Sequence, residues 1–446
     1  MAASSRGPDP TVAAYAPRVR RFLLPTLAGF IGAAFSAGLL RKGVVLGPDS
    51  WAYWEGSVSL LERGEYTYFG GEPVTNFPPL FSGALALFQA GLGVSVRTLA
   101  VALALFVATG SFAWMSIFAS VTLPGGTTPD LPPGKSGMAH DLLALWYVPA
   151  TLAVYGQVLL SESLWLVLLA VLLLLLLAPA APSSPVGEAV RLAGAWLVLS
   201  GLLLCRNVTV AVLPAIFLMV LRRKANGPFR RRLAMASAVS VGALAPWYFV
   251  RRSYGQLANH PPFMPHGVLE RLEEMLAQLA YAFGPARLHI GAVLLLAVSV
   301  LLLWELVASR PQPTGIRAPP AALVEFTLVG LAGLAGLLSV THVGKPLEGR
   351  FVVFAVLSST LAVIAAARLS RDGLRRRALT ATAVLLTVVA LYRVGVKYRL
   401  AGIEQPVEAL NVTIASSYWS GPPKASGSLL LVAPPTYPWQ QRSGLR

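Results

Sequence analysis

The sequence predicts an all-α polytopic membrane protein with about eleven transmembrane helices. Three observations predict it. Of 446 residues, 55% are hydrophobic and only 12% are charged, where soluble domains carry about a quarter charged residues. Apolar runs of roughly 15 to 25 residues recur along most of the chain. The 36 Lys and Arg residues, which give a formal net charge of +17, stand in short clusters between those runs. That is the pattern of the positive-inside rule, and it argues against a nucleic-acid partner.

The runs are 22–40, 79–93, 96–119, 141–160, 163–182, 192–221, 233–250, 288–308, 319–340, 351–368 and 378–396. The first has spanning length and no small-residue cleavage site after it, so it reads as a retained helix and not as a signal peptide. The run 79–93 is short. The run 192–221 would be about 45 Å long as one helix, with Arg206 near its middle. A turn at Cys205–Asn207 brings Arg206 to a membrane surface and spares the cost of burying it in lipid. The basic clusters Arg18–Arg21, Arg222–Arg232 and Arg368–Arg377 are expected in the cytoplasm, so an even number of crossings separates the first two. That parity holds if the short run spans and the long one does not turn, or if the short run lies at the surface and the long one is a hairpin. The second solution spares Arg206 and gives eleven spans, with the N-terminus cytoplasmic and the C-terminus outside. It divides the chain into a cytoplasmic N-terminus (1–21), a transmembrane domain (22–396) with outer loops at 41–95 and 251–287, and a short outer tail (397–446). The Pro- and Gly-rich segment Leu123–His140 reads as a flexible inner connection, and Gly330–Gly336 as a place where helices approach closely. The lone Cys205 excludes an intramolecular disulfide and a thiolate zinc site.

Chemistry concentrates in the first outer loop. Between Gly47 and Leu80 lie the acids Asp49, Glu55, Glu62, Glu65 and Glu72, interleaved with aromatics, a composition that argues for order. Asp49, just after the first span, suits either the cap of a short helix or a carboxylate accepting a proton at the membrane surface. Glu162 interrupts a long apolar stretch, and the hairpin topology puts it at an outer turn on the same side as Asp49. Arg206, Arg350, Lys345 and His342 share that surface. Cations on the side where they are disfavoured suit phosphate binding or anchoring to lipid head groups, and Arg251 and Arg252 carry the same pair of readings. His260 and His266 are weak metal candidates, since three prolines break their spacing. Glu305 and Glu325 read as packing acids near inner helix ends, or as parts of a proton path. Neither a Gly-rich phosphate loop nor a Ser-His-Asp order appears, so no nucleotide cofactor is expected.

The order "PDSWAYWEGSVSLLERGEYTYFGGEPVTNFPPL", "SESLW", "GLLLCRNVT", "APWYFVRR", "GRFVVF" resembles bacterial members of glycosyltransferase family 39, the protein O-mannosyltransferase and lipid A aminoarabinose transferase type of the GT-C superfamily. The likeness extends from about residue 20 to 368. It implies juxtamembrane helices in the first outer loop, with 79–93 lying along the membrane. It implies Asp49 as the base that activates the acceptor, Glu162 as the acid of the second outer loop, and Arg350 beside the donor phosphate, with Arg206, Lys345 and His342 as further cations. Tyr53, Glu55, Asn76, Pro78 and Pro79 are the candidate acceptor or sugar pocket. The implied donor is a hexosyl or pentosyl unit on a polyprenyl phosphate, and the acceptor a lipid, glycan or protein. The setting is the plasma membrane of the cell envelope, and a divalent metal is left open. Three features depart from the family: Ser50 follows the aspartate where an acid is common, Asn76 and Phe77 stand where aminoarabinose transferases carry Glu-Lys, and the tail is short. The rival reading is a transporter or flippase of a lipid-linked substrate, which would favour internal repeats that this chain lacks.

Overall fold

The computed structural model describes residues 10–41, 44, 48–68, 70–75, 77–122, 135–177, 185–222, 268–284, 288–308, 319–340, 349–370 and 372–403. Thirteen helices can be followed among them: α1 (Pro10–Leu40), α2 (Pro48–Arg63), α3 (Leu80–Leu92), α4 (Val96–Thr122), α5 (Lys135–Gly156), α6 (Glu162–Leu177), α7 (Pro185–Cys205), α8 (Thr209–Arg222), α9 (Val268–Phe283), α10 (Leu288–Ala308), α11 (Pro319–Val340), α12 (Val353–Leu369) and α13 (Gly373–Ile403). A 3-10 turn, Gly349–Val352, leads into α12. Helix is what lipid demands, because a backbone in hydrocarbon must satisfy its own hydrogen bonds. Parts of α1, α4, α10, α11 and α13 are long and apolar enough to cross a membrane, and α3, α6, α7, α8 and α12 contain shorter apolar helices.

Close contacts fix the directions of the helices. Gly29 and Gly32 of α1 pack on α4 at Val107–Phe112, and Arg368 bonds both Thr122, the last residue of α4, and Asp141, which pairs with Arg20 early in α1, so α1 and α4 run antiparallel. Both α2 and α3 therefore lie between the finish of α1 and the start of α4, at one end of the bundle. Along α6 and α7, Gly201 touches Leu168 and the Cys205 Sγ reaches the Ser161 carbonyl. The chain leaves helical geometry at Arg206 and resumes at Thr209. From there α8 descends along α11, with Ala211 at Gly333 and Val212 at Gly330. The long run thus turns back at the expected residues, and its halves part, α7 toward α6 and α8 toward α11. Glycines 330 and 333 make the close approach foreseen for this stretch: a Cβ on Gly330 would stand 2.8 Å from the Phe354 ring, and one on Gly333 would strike the Ala211 carbonyl.

One end of the bundle carries Asp141, which pairs with both Arg20 and Arg368, and Glu305, which pairs with Arg375. Asp372 caps α13 there, accepting from the Leu374 amide at 2.9 Å. The basic clusters at Arg18–Arg21 and Arg368–Arg377 thus share an end, as expected, and Glu305 is a packing acid. The other end carries Arg41, bonded to the Tyr398 hydroxyl at 2.8 Å. Between the ends runs a continuous core in which Trp114, Trp165, Phe326 and Phe354 are fully buried. The Trp114 indole donates to the Leu166 carbonyl at 3.1 Å, and that of Trp165 to the Thr209 hydroxyl at 2.8 Å.

Several boundaries differ from expectation, among them the start of α7 at Pro185 and the finish of α13 at Ile403, inside the expected tail. Helix α1 starts at Pro10, so the basic cluster rides on the helix and not before it. Helix α5 begins at Lys135, which shortens the expected connection 123–140. Helix α2 begins at Pro48, a residue whose fixed φ suits a first helical position, so Asp49 lies inside the first turn. The run 233–250 and the loop 251–267 lie outside the described residues.

Candidate functional site at the Arg41 end

Helix α2 is buried around its middle, from Ala52 to Ser59 with Glu55 half-buried, and exposed only in its last turn, so it seats the first loop in the bundle. Tyr53, 4% exposed, packs its ring edge-on against Phe81 (centroids 5.0 Å) and tilted against Phe77 (5.0 Å). Its hydroxyl meets the Ser161 hydroxyl at 2.9 Å. Burial, reinforced by the neighbouring Glu162 charge, pushes the Tyr53 phenol above its ordinary range, so it stays a neutral donor. Asp49 stands one helical turn before Tyr53, which puts their Cβ atoms about 6 Å apart on one face. Its carboxylate also gains from the N-terminal end of the helix dipole.

The rest of the loop is pinned to α2. Ser59 bonds the Thr67 hydroxyl at 2.6 Å and the Glu65 carbonyl at 2.8 Å, while Arg63 reaches Ser59, Thr67 and the Tyr68 carbonyl. Tyr66 lies where a Cβ on Gly56 would be, and donates to the Phe77 carbonyl at 3.1 Å. Gly71, at φ 86°, supplies the left-handed residue of the tight return in which Val74 pairs with Tyr66. Burial first, and then the charges of Glu55, Asp49 and Glu72, push the Tyr68 phenol up. Three of the loop's acids therefore act on one hydroxyl, and the described part of the loop is bonded back to α2.

Behind Tyr53 lies the most enclosed ion pair of this end. Glu162, the first residue of α6, is 2% exposed and pairs with Arg206, the residue at which α7 stops. The Arg206 guanidinium also lies over the Phe351 ring at 5.0 Å, and the Cys205 Sγ sits on the Ser161 carbonyl at 3.5 Å. Four segments distant in sequence thus converge: the start of α2, the α5–α6 turn, the α7–α8 break and the 3-10 turn before α12. The break has a local cause. The amides of Thr209, Val210 and Ala211 bond three residues back, to Arg206, Asn207 and Val208, which tightens the chain into a turn around the guanidinium.

Of the residues singled out from sequence, Asp49, Tyr53, Glu162 and Arg206 are brought to one end. Glu55 lies on α2 facing the Tyr68 side, Pro78 is buried, and Pro79 immediately precedes α3. Arg350 is placed by its backbone in the 3-10 turn next to Phe351, while its side chain, like Asn76, His260, His266, His342 and Lys345, lies outside the described residues. Among the described residues no three His, Cys, Asp or Glu side chains come close enough to hold a metal. Sequence reasoning missed Ser161, for which adjacency to Glu162 was the only signal, and Asp141, whose burial follows from its two arginine partners.

No family model matches the sequence, and no curated protein matches it. Two solved structures resemble it. ArnT from Cupriavidus metallidurans in the apo state is 16% identical, with a TM-score of 0.43, over 82% of this chain and 75% of that one. ArnT from Cupriavidus metallidurans bound to undecaprenyl phosphate is also 16% identical, with a TM-score of 0.47, over 84% of this chain and 77% of that one.

Proposed function

We propose that the protein is an inverting membrane glycosyltransferase that moves a sugar from a polyprenyl-phosphate donor to an acceptor hydroxyl at the outer face of the plasma membrane. The observation that carries this reading is the convergence at the Arg41 end: Asp49 leads the helix whose Tyr53 is anchored through Ser161 beside the Glu162–Arg206 pair. The motif order read from the sequence points the same way, and the basic clusters at the Arg20 end support taking the Arg41 end as the outer one.

In this mechanism the acceptor oxygen attacks the anomeric carbon as Asp49 takes the hydroxyl proton. The bond from that carbon to the phosphate oxygen breaks with inversion, and polyprenyl phosphate leaves carrying the electron pair and its negative charge. Cations close to that oxygen stabilise the charge as it develops. Arg350 is the first candidate for this. Arg206 offers its guanidinium N–H donors from a fixed position, because Glu162 and the Phe351 ring orient it, which makes Glu162 a positioning residue. Tyr53 holds α2, and with it Asp49, in register with the pair.

The test is sugar transfer by purified protein supplied with a polyprenyl-phosphate sugar. Asp49→Asn should lower turnover by about 10²–10⁴-fold, the usual contribution of a general base, with donor binding and folding retained. Undiminished transfer by this variant removes Asp49 from the mechanism.

A further inference from the structure

Helix α9 has no place in the mechanism so far, yet it touches the part of the chain that carries Arg350. Its buried residues Met275, Leu279, Ala282 and Phe283 recur at helical spacing, and the helix packs on α10, α11, α12 and the 3-10 turn Gly349–Val352. Its finish fits tightly against α10, where a Cβ on Gly291 would strike the Ala280 carbonyl. The described backbones of α9 and α13, by contrast, barely meet. The Arg393 side chain bridges them. Arg393 stands five residues before Tyr398, the partner of Arg41, which is about 7.5 Å along the helix, so the finish of α9 lies toward the Arg41 end.

Arg393 donates to the carbonyls of Tyr281 and Gly284, the latter at 3.1 Å, and its guanidinium carbon lies 5.6 Å from the Tyr281 ring centroid. Those carbonyls belong to the last turn of α9 and the residue after it, where a helix runs out of internal donors and presents the negative end of its dipole. A guanidinium matches that end, being planar, always charged and furnished with five donors in a fixed fork. A cation within a span is costly unless it is well partnered. Among the described residues no carboxylate pairs with Arg393, the ion pairs being those of Arg20, Arg206, Arg368 and Arg375. The end of α9 therefore serves as its counter-charge, and the tie runs from α13 to α9.

From α9 the tie continues into the candidate site. The 3-10 turn is four residues long, too short for a core of its own, so its place is set by what packs on it, α9 and α12. Its Phe351 ring lies under the Arg206 guanidinium at 5.0 Å, and its Arg350 is the first candidate for the cation at the leaving phosphate. We propose that Arg393 is a positioning residue for sugar transfer: by holding the finish of α9 to α13 it seats α9 on the 3-10 turn and so fixes where Arg350 meets the donor phosphate. The part in transfer rests on the proposed function, whereas the tie from α13 through α9 to the turn rests on hydrogen bonds and packing alone. Because the tie leads to the phosphate side of the reaction and not to Asp49, it governs use of the donor and not of the acceptor.

The test combines donor and acceptor kinetics of the purified full chain with hydrogen–deuterium exchange in peptides covering 268–284 and 349–352. Arg393→Gln should raise the KM for a polyprenyl-phosphate sugar about 10-fold or more, the effect of losing a charge-assisted hydrogen bond to the phosphate. The acceptor KM should stay unchanged, and exchange should quicken in both segments. A mere loss of folded protein would move neither KM. Arg393→Lys, which keeps the charge at the helix end, should recover most of the donor KM. Gly291→Ala should reproduce the donor defect with Arg393 intact, by pushing the finish of α9 off α10, and it decides the matter if Arg393→Gln fails to fold. An unchanged donor KM in both variants, equal rises in the donor and acceptor KM, or unchanged exchange at 349–352 overturns the proposal. A wild-type protein that transfers no sugar defeats the glycosyltransferase reading instead, and exchange at 349–352 in Arg393→Gln then decides the tie by itself.

Discussion

Replacing Arg206 by Met removes the cation from one of the most enclosed ion pairs in the molecule. The side chains of Arg206 and Glu162 are 10% and 3% exposed, so neither charge can recover its hydration when the other is lost. Removing one partner of such a pair destabilises a protein by about 3–5 kcal/mol, because the survivor remains buried and uncompensated. The loss here includes the guanidinium's place over Phe351, a contact of about 0.5–2 kcal/mol. Removing both charges together, as Glu162→Gln with Arg206→Met, leaves no buried charge and should fall within about 1 kcal/mol of the parent protein. The double variant should therefore be more stable than either single variant, with a coupling of about 5 kcal/mol or more. The assay is denaturant unfolding in mixed micelles, followed by the fluorescence of Trp165, whose indole is bonded to Thr209 at the break. An Arg206→Met loss below about 1 kcal/mol would refute the reasoning, since that is the size of a solvated surface pair. So would a double variant that loses the sum of the two single effects.

Tyr53→Phe removes the hydroxyl bond to Ser161 and should lower stability by about 1 kcal/mol. Transfer should fall with it, through loosened placement of Asp49, and Ser161→Ala should reproduce the defect. Because burial raises the Tyr53 and Tyr66 phenols, their stabilising contribution is complete below the unfolded value of about 10. It is lost as pH rises through the folded values, so alkaline unfolding should begin above about pH 10 and start later in Tyr53→Phe. Gly333→Leu places a side chain where the Ala211 carbonyl already lies. It should destabilise by about 1–3 kcal/mol or more in the same unfolding assay, whereas Gly336→Ala, where no atom lies within 4 Å of the new Cβ, should change little.

Hydropathy and charge made most of the bundle legible, because lipid permits few solutions: a run of apolar residues long enough to span becomes a helix, and α10 and α11 match the expected 288–308 and 319–340 at both ends. The turn at Arg206 was legible for the same reason, since a cation in mid-span is costly and a turn removes that cost. The partners of Arg206 were not legible. Glu162 lies 44 residues away in the chain, and nothing in either segment states that the two meet and neutralise each other. The contact of α5 with α13 was equally hidden, since the His140 ring and the Thr380 hydroxyl, 240 residues apart, meet at 2.9 Å only through packing.

Buried charge is distributed unevenly between the two ends of the bundle among the described residues. At the Arg20 end, Asp141 ties α1, α5 and α12 together through Arg20 and Arg368, and Glu305 ties α10 to α13 through Arg375. Opening a path to that side would strand these charges in a largely dry interface, at a few kcal/mol for each pair broken, and the described helices carry no broken pair at mid-span to repay it. At the Arg41 end one buried pair, Glu162–Arg206, ties the start of α6 to the α7–α8 break, while other described polar groups sit on short helices, a pinned loop and helix ends. Three such ties among the described residues at the Arg20 end against one at the Arg41 end make the Arg41 end the easier to loosen, which is the asymmetry the proposed function requires.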